Sequence, residues 1–269
     1  MCLSSRSVQI IRRDTNIMLI RSTWQLTVTE PIALPRSHHL SLVKDLHDRL
    51  NLRMGEEKIP STTFSGLMGN YDRRDDFITF FPNQPYTLIL SGLQESSSKA
   101  IADLDLGETL DFFGASFRIS DRQDEITTYE NLYTELVANE PEPIRKYELY
   151  FATPTAFAQN RTHLPLPVPS LMFRSWLERW NHFAPVYLGG DDLIVYLTSY
   201  VTVTRHQIKT STIRIYQGQC TGFTGQVTIQ AIGKVDPLLA NVAHLLVQYA
   251  AFAGTGIKTR LSMGQTEVD

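Results

Sequence analysis

The sequence carries the same order of strand-like and helical segments on both sides of one proline-rich break, Asn139-Glu-Pro-Glu-Pro143. Prolines in such a run cannot continue a helix, so the break predicts a linker. Each half reads as roughly βαββαβ, which is typical of a ferredoxin-like (RRM-like) antiparallel sheet with helices on one face. We therefore predict an α+β protein of two tandem ferredoxin-like domains, over residues 18–138 and 144–269. No residue-level repeat relates the two halves.

Hydrophobic periodicity gives the elements behind this prediction. In the first half we predict strands at 18–29, 77–81 and 85–92, helices at 37–50, 96–104 and 129–137, and a hairpin or bent strand at 109–120. In the second half we predict strands at 146–152, 193–203, 207–216 and 223–232, and helices at 170–183 and 237–252.

Charge is distributed unevenly along the chain. The net charge is −3, but residues 144–269 carry +4 and residues 1–143 carry −7. A basic half beside an acidic half is compatible with one face that meets a polyanion, although random scatter of charge gives the same numbers. No window is long and apolar enough for a membrane span, so we expect no membrane partner. Residues 1–17 are interpreted as a disordered extension or an upstream start.

Cysteine and metal-ligand spacing exclude several classes of site. Cys2 and Cys220 cannot build a disulfide framework or a zinc site, and a reducing cytoplasm is the predicted location. The sequence has no HExxH motif, no paired cysteines and no nucleophile elbow. Asp75-Asp76 and Asp191-Asp192 are predicted to be turns. We therefore expect no metal and no other cofactor.

The glycine-rich run at 253–265, AGTGIKTRLSMGQ, is the most informative motif. Glycine lets backbone N–H groups approach a phosphate, and lysine and arginine add positive charge. The run follows a helix, so it is neither a Walker loop nor a dinucleotide fingerprint. The predicted phosphate-binding residues here are Gly254, Gly256, Lys258, Thr259, Arg260 and Gly264. The alternative is a flexible helix stop.

This run resembles the C-terminal glycine-rich loop of the CRISPR repeat-RNA processing endoribonucleases of the RAMP superfamily. Further segments at 147–157, 164–169, 180–184 and 221–228 resemble the C-terminal domain of that family in the same order. In the first half, 62–69 and 126–132 resemble it more weakly. The resemblance implies tandem ferredoxin-like domains and a metal-independent cut in a CRISPR repeat RNA (pre-crRNA). The cut proceeds by attack of a 2′-hydroxyl and leaves a 2′,3′-cyclic phosphate and a 5′-hydroxyl.

Such a cut needs a proton acceptor, a proton donor and cations for the charged intermediate, and histidine suits the proton transfers. The resemblance places a catalytic His and Lys in the first domain, which points to His47 and Lys58. His39 shares a helix face with His47 and is the alternative base or its partner, and His38 points about a quarter turn away. Lys58 would stabilise the phosphate charge, or it is a solvated lysine.

Other cations of the second half are candidate contacts to the RNA backbone. These are Arg205, His206 and Lys209 on or beside a strand, and Arg174 on the helix that also carries Arg179. For Arg174 and Arg179 a solvated face is the preferred interpretation. Trp176, Trp180 and Phe183 share helical spacing, which predicts a packed core seam more than a platform for base stacking.

Three other readings remain open at this point. One is a non-cleaving crRNA-binding subunit of an effector complex, with effector proteins as partners. Another is a generic RRM-like protein, which the absence of an aromatic-rich RNP strand disfavours. The last is a cut that depends on Mg²⁺. A monomer or homodimer is expected for the protein itself.

Overall fold

The computed structural model describes residues 17–52, 57–216 and 218–269. The predicted N-terminal extension therefore lies outside the described residues, apart from Ile17. The elements of the first half are β1 Met18–Thr27, β2 Ile32–Pro35, α1 His38–Arg49, β3 Thr62–Gly69, β4 Tyr71–Arg74, β5 Phe77–Phe80, β6 Tyr86–Gly92, α2 Glu95–Ala102, β7 Thr109–Phe112, β8 Ala115–Thr128, α3 Tyr129–Tyr133 and a π-helical turn Thr134–Ala138.

The first half is built on an antiparallel sheet with the spatial order β3-β6-β1-β8-β7. Strands β1, β3, β6 and β8 follow one another with α1 and α2 between them, which is the expected βαββαβ order, although the strand after α1 is β3 and not the predicted strand at 77–81. A small separate sheet, β2-β5-β4, is inserted beside α1. The predicted strands at 77–81 and 85–92 both exist, but they belong to different sheets.

The elements of the second half are β9 Lys146–Thr155, β10 Phe157–Gln159, β11 Thr162–Leu164, α4 Pro169–Phe183, α5 Asp191–Tyr200, β12 Val201–Ile215, β13 Gly218–Ala231, α6 Pro237–Ala253 and β14 Thr266–Val268. The sheet order is β12-β13-β9-β14. This arrangement repeats the ferredoxin-like topology of the first half, so the predicted fold class is confirmed.

One predicted element is wrong. Residues 193–203 read as a strand because they are rich in β-branched and aromatic side chains, but 191–200 form helix α5. Leu193, Ile194 and Leu197 are buried at helical spacing. Asp191 and Asp192, which were expected in a turn, occupy the first turn of α5, where carboxylates interact favourably with the helix dipole. The strand begins only at Val201.

Two large hydrophobic cores and a third, small cluster stabilise the described part of the chain. The tryptophans of α4 are fully buried in the core of the second half, which confirms the interpretation of a packed seam. Leu19, Leu93 and Tyr129 from the first half join that same core, and the Tyr129 and Tyr249 hydroxyls lie 3.0 Å apart. The two halves are therefore packed together, while the boundary predicted near 139–143 stays a prediction.

Candidate active site and nucleic-acid interface

His47 lies in the last turn of α1, where its ring is almost fully buried. Its Nδ1 is 2.7 Å from the carbonyl oxygen of Val43, one turn earlier in the helix. Because a carbonyl can only accept a hydrogen bond, Nδ1 carries the proton in the neutral ring. The other nitrogen, Nε2, therefore bears the lone pair. It lies 3.3 Å from Oγ1 of Thr62, a hydroxyl that can donate to it.

The charge environment of His47 comes from three parts of the chain. Burial lowers the pKa of His47 most, and the nearby Arg260 lowers it further, whereas the Val43 carbonyl, Asp48 and Glu57 raise it. The net result is a pKa below the ordinary value of histidine, so the ring is neutral near pH 7. Arg260 belongs to the glycine-rich run, which meets the first half where Phe64 N–H donates to the Thr259 carbonyl at 2.9 Å.

A short segment connects His47 to the strand that faces it. Glu57 accepts hydrogen bonds from the N–H and the hydroxyl of Ser61, at 2.8 Å and 2.9 Å. This pairing fixes the chain immediately before Thr62. Lys58 is exposed within the segment and makes no described contact with His47. Its assignment as a phosphate-stabilising residue stays a prediction.

His39 points in a different direction, towards the second half. Its Nε2 is 2.8 Å from the carbonyl oxygen of Arg214 in β12, so Nε2 is the protonated nitrogen. Burial lowers the pKa of His39, although the carbonyls of Arg214 and Arg36 raise it. Sequence reasoning placed His39 and His47 on one helix face, but their rings have no common partner.

His38 is held by the core of the first half. Its Nδ1 is 2.9 Å from the carbonyl oxygen of Pro35, and its ring stacks on Phe112 and meets the edge of Phe80. Burial lowers the pKa of His38 to about 4. These contacts explain its position without a catalytic role.

A cleft of about 760 Å³ separates the two sheets, and His38 and His39 lie on its wall. His47 is not among its lining residues. Among the described residues that line the cleft, four are basic and one, Glu267, is acidic. The basic residues are Arg36, Arg73, Lys209 and Arg214. The cleft therefore has the charge that a polyanion requires.

The glycine-rich loop, defined here as residues 254–264, is packed more tightly than the sequence predicts. The N–H groups of its glycines donate within the protein: Gly254 to Ala250, Gly256 to the Ser175 hydroxyl and Gly264 to Pro154. These groups are therefore not free for phosphate, contrary to the expectation from sequence. Thr259 is also buried, and its carbonyl accepts from Phe64 N–H at 2.9 Å. Lys258 and Arg260 stay partly exposed.

The loop glycines are required by conformation and by close packing. Gly254, Gly256 and Gly264 all have φ between +64° and +80°, a region that L side chains rarely adopt. A Cβ at Gly256 would lie 2.2 Å from the Ala156 carbonyl oxygen. The loop also touches the first half, because a Cβ at Gly66 would meet the Ser262 hydroxyl. The loop is therefore closely packed against both halves of the protein.

The remaining candidate cations are exposed on the second half of the protein. Arg205, His206 and Lys209 are exposed on β12, and Arg174 is exposed on α4, where it pairs with Asp191 at 2.6 Å. Their contact with RNA stays a prediction.

Arg179 is the residue whose environment was predicted least well. It was expected on a solvated face, but it is only 8% exposed. Its guanidinium donates to the carbonyl and hydroxyl of Ser175 and, at 2.6 Å, to the carbonyl of Gly256. The position of Arg179 three residues after Trp176 and one before Trp180, on the buried stripe, was the available signal.

The fold and the site together define a class: tandem ferredoxin-like proteins with a basic interdomain cleft and a buried first-half histidine beside a glycine-rich loop. Residues 149–266 match the family model described as the CRISPR-associated endoribonuclease Cas6. The expected resemblance to the CRISPR repeat-processing endoribonucleases is thereby confirmed.

Two curated relatives carry the same description. The Cas6 endoribonuclease of Streptococcus thermophilus is 24% identical over 134 residues, which cover 49% of this chain and 54% of that protein. The protein from Mycobacterium tuberculosis is 29% identical over 124 residues, which cover 46% of this chain and 39% of that protein. The matched segment thus spans about half or less of these relatives.

The fold likeness extends over nearly the whole chain. A solved structure described as a Cas6 product complex aligns with a TM-score of 0.68 at 21% identity, covering 94% of this chain and 99% of the other. At this identity the likeness shows the shared fold. Among the described residues, no helix has the length and apolar character needed to cross a membrane.

Proposed function

We propose that this chain is an endoribonuclease that binds a CRISPR repeat RNA and cuts it by 2′-hydroxyl attack, without a metal ion. His47 is the general base in this proposal. The observation that carries it is the lone pair of His47 Nε2, which the Val43 carbonyl fixes by holding the proton on Nδ1. A neutral imidazole beside a cationic loop is the arrangement that such a cut needs.

The chemistry follows from these atoms. Nε2 of His47 removes the proton of the 2′-hydroxyl, and the 2′-oxygen forms a bond to the adjacent phosphorus. The bond from phosphorus to the 5′-oxygen breaks, that oxygen takes up a proton from a water molecule, and the imidazolium of His47 returns its proton to the resulting hydroxide. The products are a 2′,3′-cyclic phosphate and a 5′-hydroxyl end, and no oxidant or reductant is involved.

Arg260 and Lys258 supply the charge that the pentavalent intermediate needs. Arg260 is partly exposed and its charge lowers the pKa of His47, so it is the loop cation that we assign to the scissile phosphate. Lys58 is a further cation that we assign to the phosphate. Charge stabilisation by such groups is worth about 10²–10³ in rate when one donor is removed.

The basic cleft is the surface that we assign to RNA binding. Structured RNA is recognised through phosphates, shape and flanking single-stranded bases, and Lys209 and Arg214 line the cleft. Arg205, His206 and Arg174 are exposed elsewhere on the second half, and we assign them as further contacts to the RNA backbone. Affinity should therefore fall as salt concentration rises.

The test is cleavage of CRISPR repeat RNA from the genome that encodes this protein, with purified protein in EDTA. We expect a single cut with a 2′,3′-cyclic phosphate on the upstream fragment, which end-labelling and phosphatase sensitivity identify. A 3′-hydroxyl product, or a cut that appears only when Mg²⁺ is restored, would overturn the proposed mechanism.

A second function is favoured by one observation: the His47 ring is only 3% exposed, and Thr62 occupies the space at Nε2. A protein with a covered imidazole could hold crRNA in an effector complex without cutting it. Tight repeat binding with no product in any buffer would select this alternative.

A further inference from the structure

Arg179 is a buried cation whose partners do not neutralise it. Its side chain lies between α4 and the glycine-rich loop, and all of its described hydrogen bonds go to neutral oxygens of Ser175 and Gly256. Within the described part of the chain, no carboxylate lies within ion-pair distance of it. A guanidinium remains charged in a protein, and burying a charge without a counter-ion is unfavourable.

The fold alone gives little reason for a cation at this position. Arg179 is surrounded by the apolar core of the second half, where an apolar side chain of similar volume is often neutral or more stabilising than a buried ionic group. The Nε atom of Arg179 is buried and has no described partner. The role of the Arg179 charge therefore lies in the glycine-rich loop that its side chain contacts.

The contacts of Arg179 fix Gly256 on both sides of its peptide backbone. The guanidinium holds the Gly256 carbonyl, while the Ser175 hydroxyl, which Arg179 also contacts, accepts the Gly256 N–H at 2.9 Å. Trp176 adds a third contact, from its indole N–H to the Thr255 hydroxyl at 2.9 Å. One face of α4 thus holds the first turn of the loop.

The far end of the loop reaches the proposed catalytic base. Three residues separate Gly256 from Arg260, and the carbonyl of one of them, Thr259, accepts a hydrogen bond from Phe64 N–H of β3. Phe64 lies two residues after Thr62, whose hydroxyl is 3.3 Å from Nε2 of His47, so the loop and the imidazole are both held against β3. A shift of Gly256 would therefore move Arg260 relative to the imidazole.

From this chain of contacts we infer that Arg179 is a positioning residue for the scissile phosphate. It acts through Gly256 to set Lys258 and Arg260 against the phosphate that the 2′-oxygen attacks once His47 has accepted its proton, and its unneutralised charge adds positive potential beneath the loop. The inference rests on the proposed function. Arg179 itself does not touch RNA.

The test is a double-mutant cycle between Arg179→Met and Arg260→Ala, measured as single-turnover cleavage of the repeat RNA. We expect Arg179→Met to slow cleavage by about tenfold, and to slow it by less than about twofold further when Arg260 is already alanine. Arg179→Lys should recover part of the rate, because it keeps the charge but not the paired donors. Lys234→Met, which removes an exposed cation from the same half, is the matched control.

Salt dependence provides a readout that a purely structural role would not change. Loss of the loop cations from the phosphate should reduce the slope of log Kd against log salt by about one to two for Arg179→Met. Circular dichroism and thermal unfolding identify variants that do not fold. For that case, Ser175→Ala removes the acceptor of Gly256 N–H and should reproduce the effect in weaker form.

Three outcomes distinguish a failure of the positioning role from a failure of the proposed function. If the wild type cuts the repeat, and folded Arg179→Met and Ser175→Ala cut it at the wild-type rate, the positioning role is overturned. Full additivity of Arg179→Met and Arg260→Ala also overturns it. If the wild type does not cut at all, the proposed function has failed, and the salt slope for binding still tests the effect of Arg179 on the loop.

Discussion

The Nε2 of His39 in α1 donates a hydrogen bond of 2.8 Å to the carbonyl oxygen of Arg214, a residue 175 positions later in the chain. This contact joins the first helix to the long strand β12. The same hairpin touches α1 again, where the Tyr216 hydroxyl donates to the Leu40 carbonyl at 3.3 Å. His39 is thus committed as a donor, while His47 presents a lone pair.

We therefore expect His39 and His47 to differ in their effect on cleavage. Glutamine at position 39 can still donate to the Arg214 carbonyl, whereas glutamine at position 47 cannot accept a proton. The single-turnover rate of His47→Gln should be lower than that of His39→Gln by about tenfold or more. Equal rates for the two variants, or a slower His39→Gln, would transfer the role of base to His39.

A pH–rate profile should reveal the influence of Arg260 on His47. Burial and Arg260 both lower the pKa of His47, so the wild-type rate should hold to below pH 6.5 and decline only in more acidic buffer. Removing Arg260 takes away one lowering contribution, so Arg260→Gln should move the inflection to higher pH as well as reduce the rate. Arg145→Gln, an exposed change in the second half, should leave the inflection in place. An inflection that moves to lower pH in Arg260→Gln would contradict the account.

His38 should make the stability of the protein depend on pH. Its pKa is about 4 in the folded state against 6.5 as the ordinary value, so the unfolded chain binds more protons between these limits. The contribution of the neutral ring to the free energy of unfolding is fully present above pH 6.5 and is lost as the pH falls towards 4. The loss is on the order of 3 kcal/mol. The melting temperature of His38→Gln should vary less over this window than that of the wild type. Parallel curves for the two proteins would show that His38 is not buried as described.

Gly256→Ala should destabilise the fold more than an alanine at another left-handed glycine. Gly256 and Gly107 have φ of +80° and +72°, but a Cβ at Gly256 would lie 2.2 Å from the Ala156 carbonyl oxygen, while one at Gly107 meets nothing within 4 Å. Gly107→Ala should cost about 1 kcal/mol from backbone strain alone. Gly256→Ala should cost at least about 2 kcal/mol more in denaturant unfolding. Similar costs would mean that the loop is loosely packed.

The fold could be predicted from sequence because both halves repeat one order of periodic segments. The α5 error shows the limit of that approach: an apolar run rich in Ile, Val and Tyr has no clear period, and its helical state is decided by packing of Leu193, Ile194 and Leu197. Strand β5 shows another limit, because its pairing with β2 depends on an insertion that no local pattern marks.

The sequence predicted which residues belong to the candidate site better than it predicted how they are arranged. The segments around His47 and Arg260 were identified, but their proximity joins positions more than 200 residues apart and depends on how the halves pack. The tautomer of His47 follows from one helical carbonyl, and the burial of Arg179 follows from the path of the loop over α4. The first is local to α1 but becomes visible only in the side-chain conformation, and the second is a tertiary property that spacing along the chain does not encode.

The central claim is that the imidazole of His47 accepts the proton of the attacking hydroxyl. The most direct measurement compares wild type and His47→Ala in EDTA, with saturating repeat RNA and a parallel binding assay, in the presence and absence of added imidazole. We predict that His47→Ala binds the repeat within about threefold of the wild type, cuts it at least about tenfold more slowly, and regains rate with imidazole. Cleavage by His47→Ala at the wild-type rate would contradict the account.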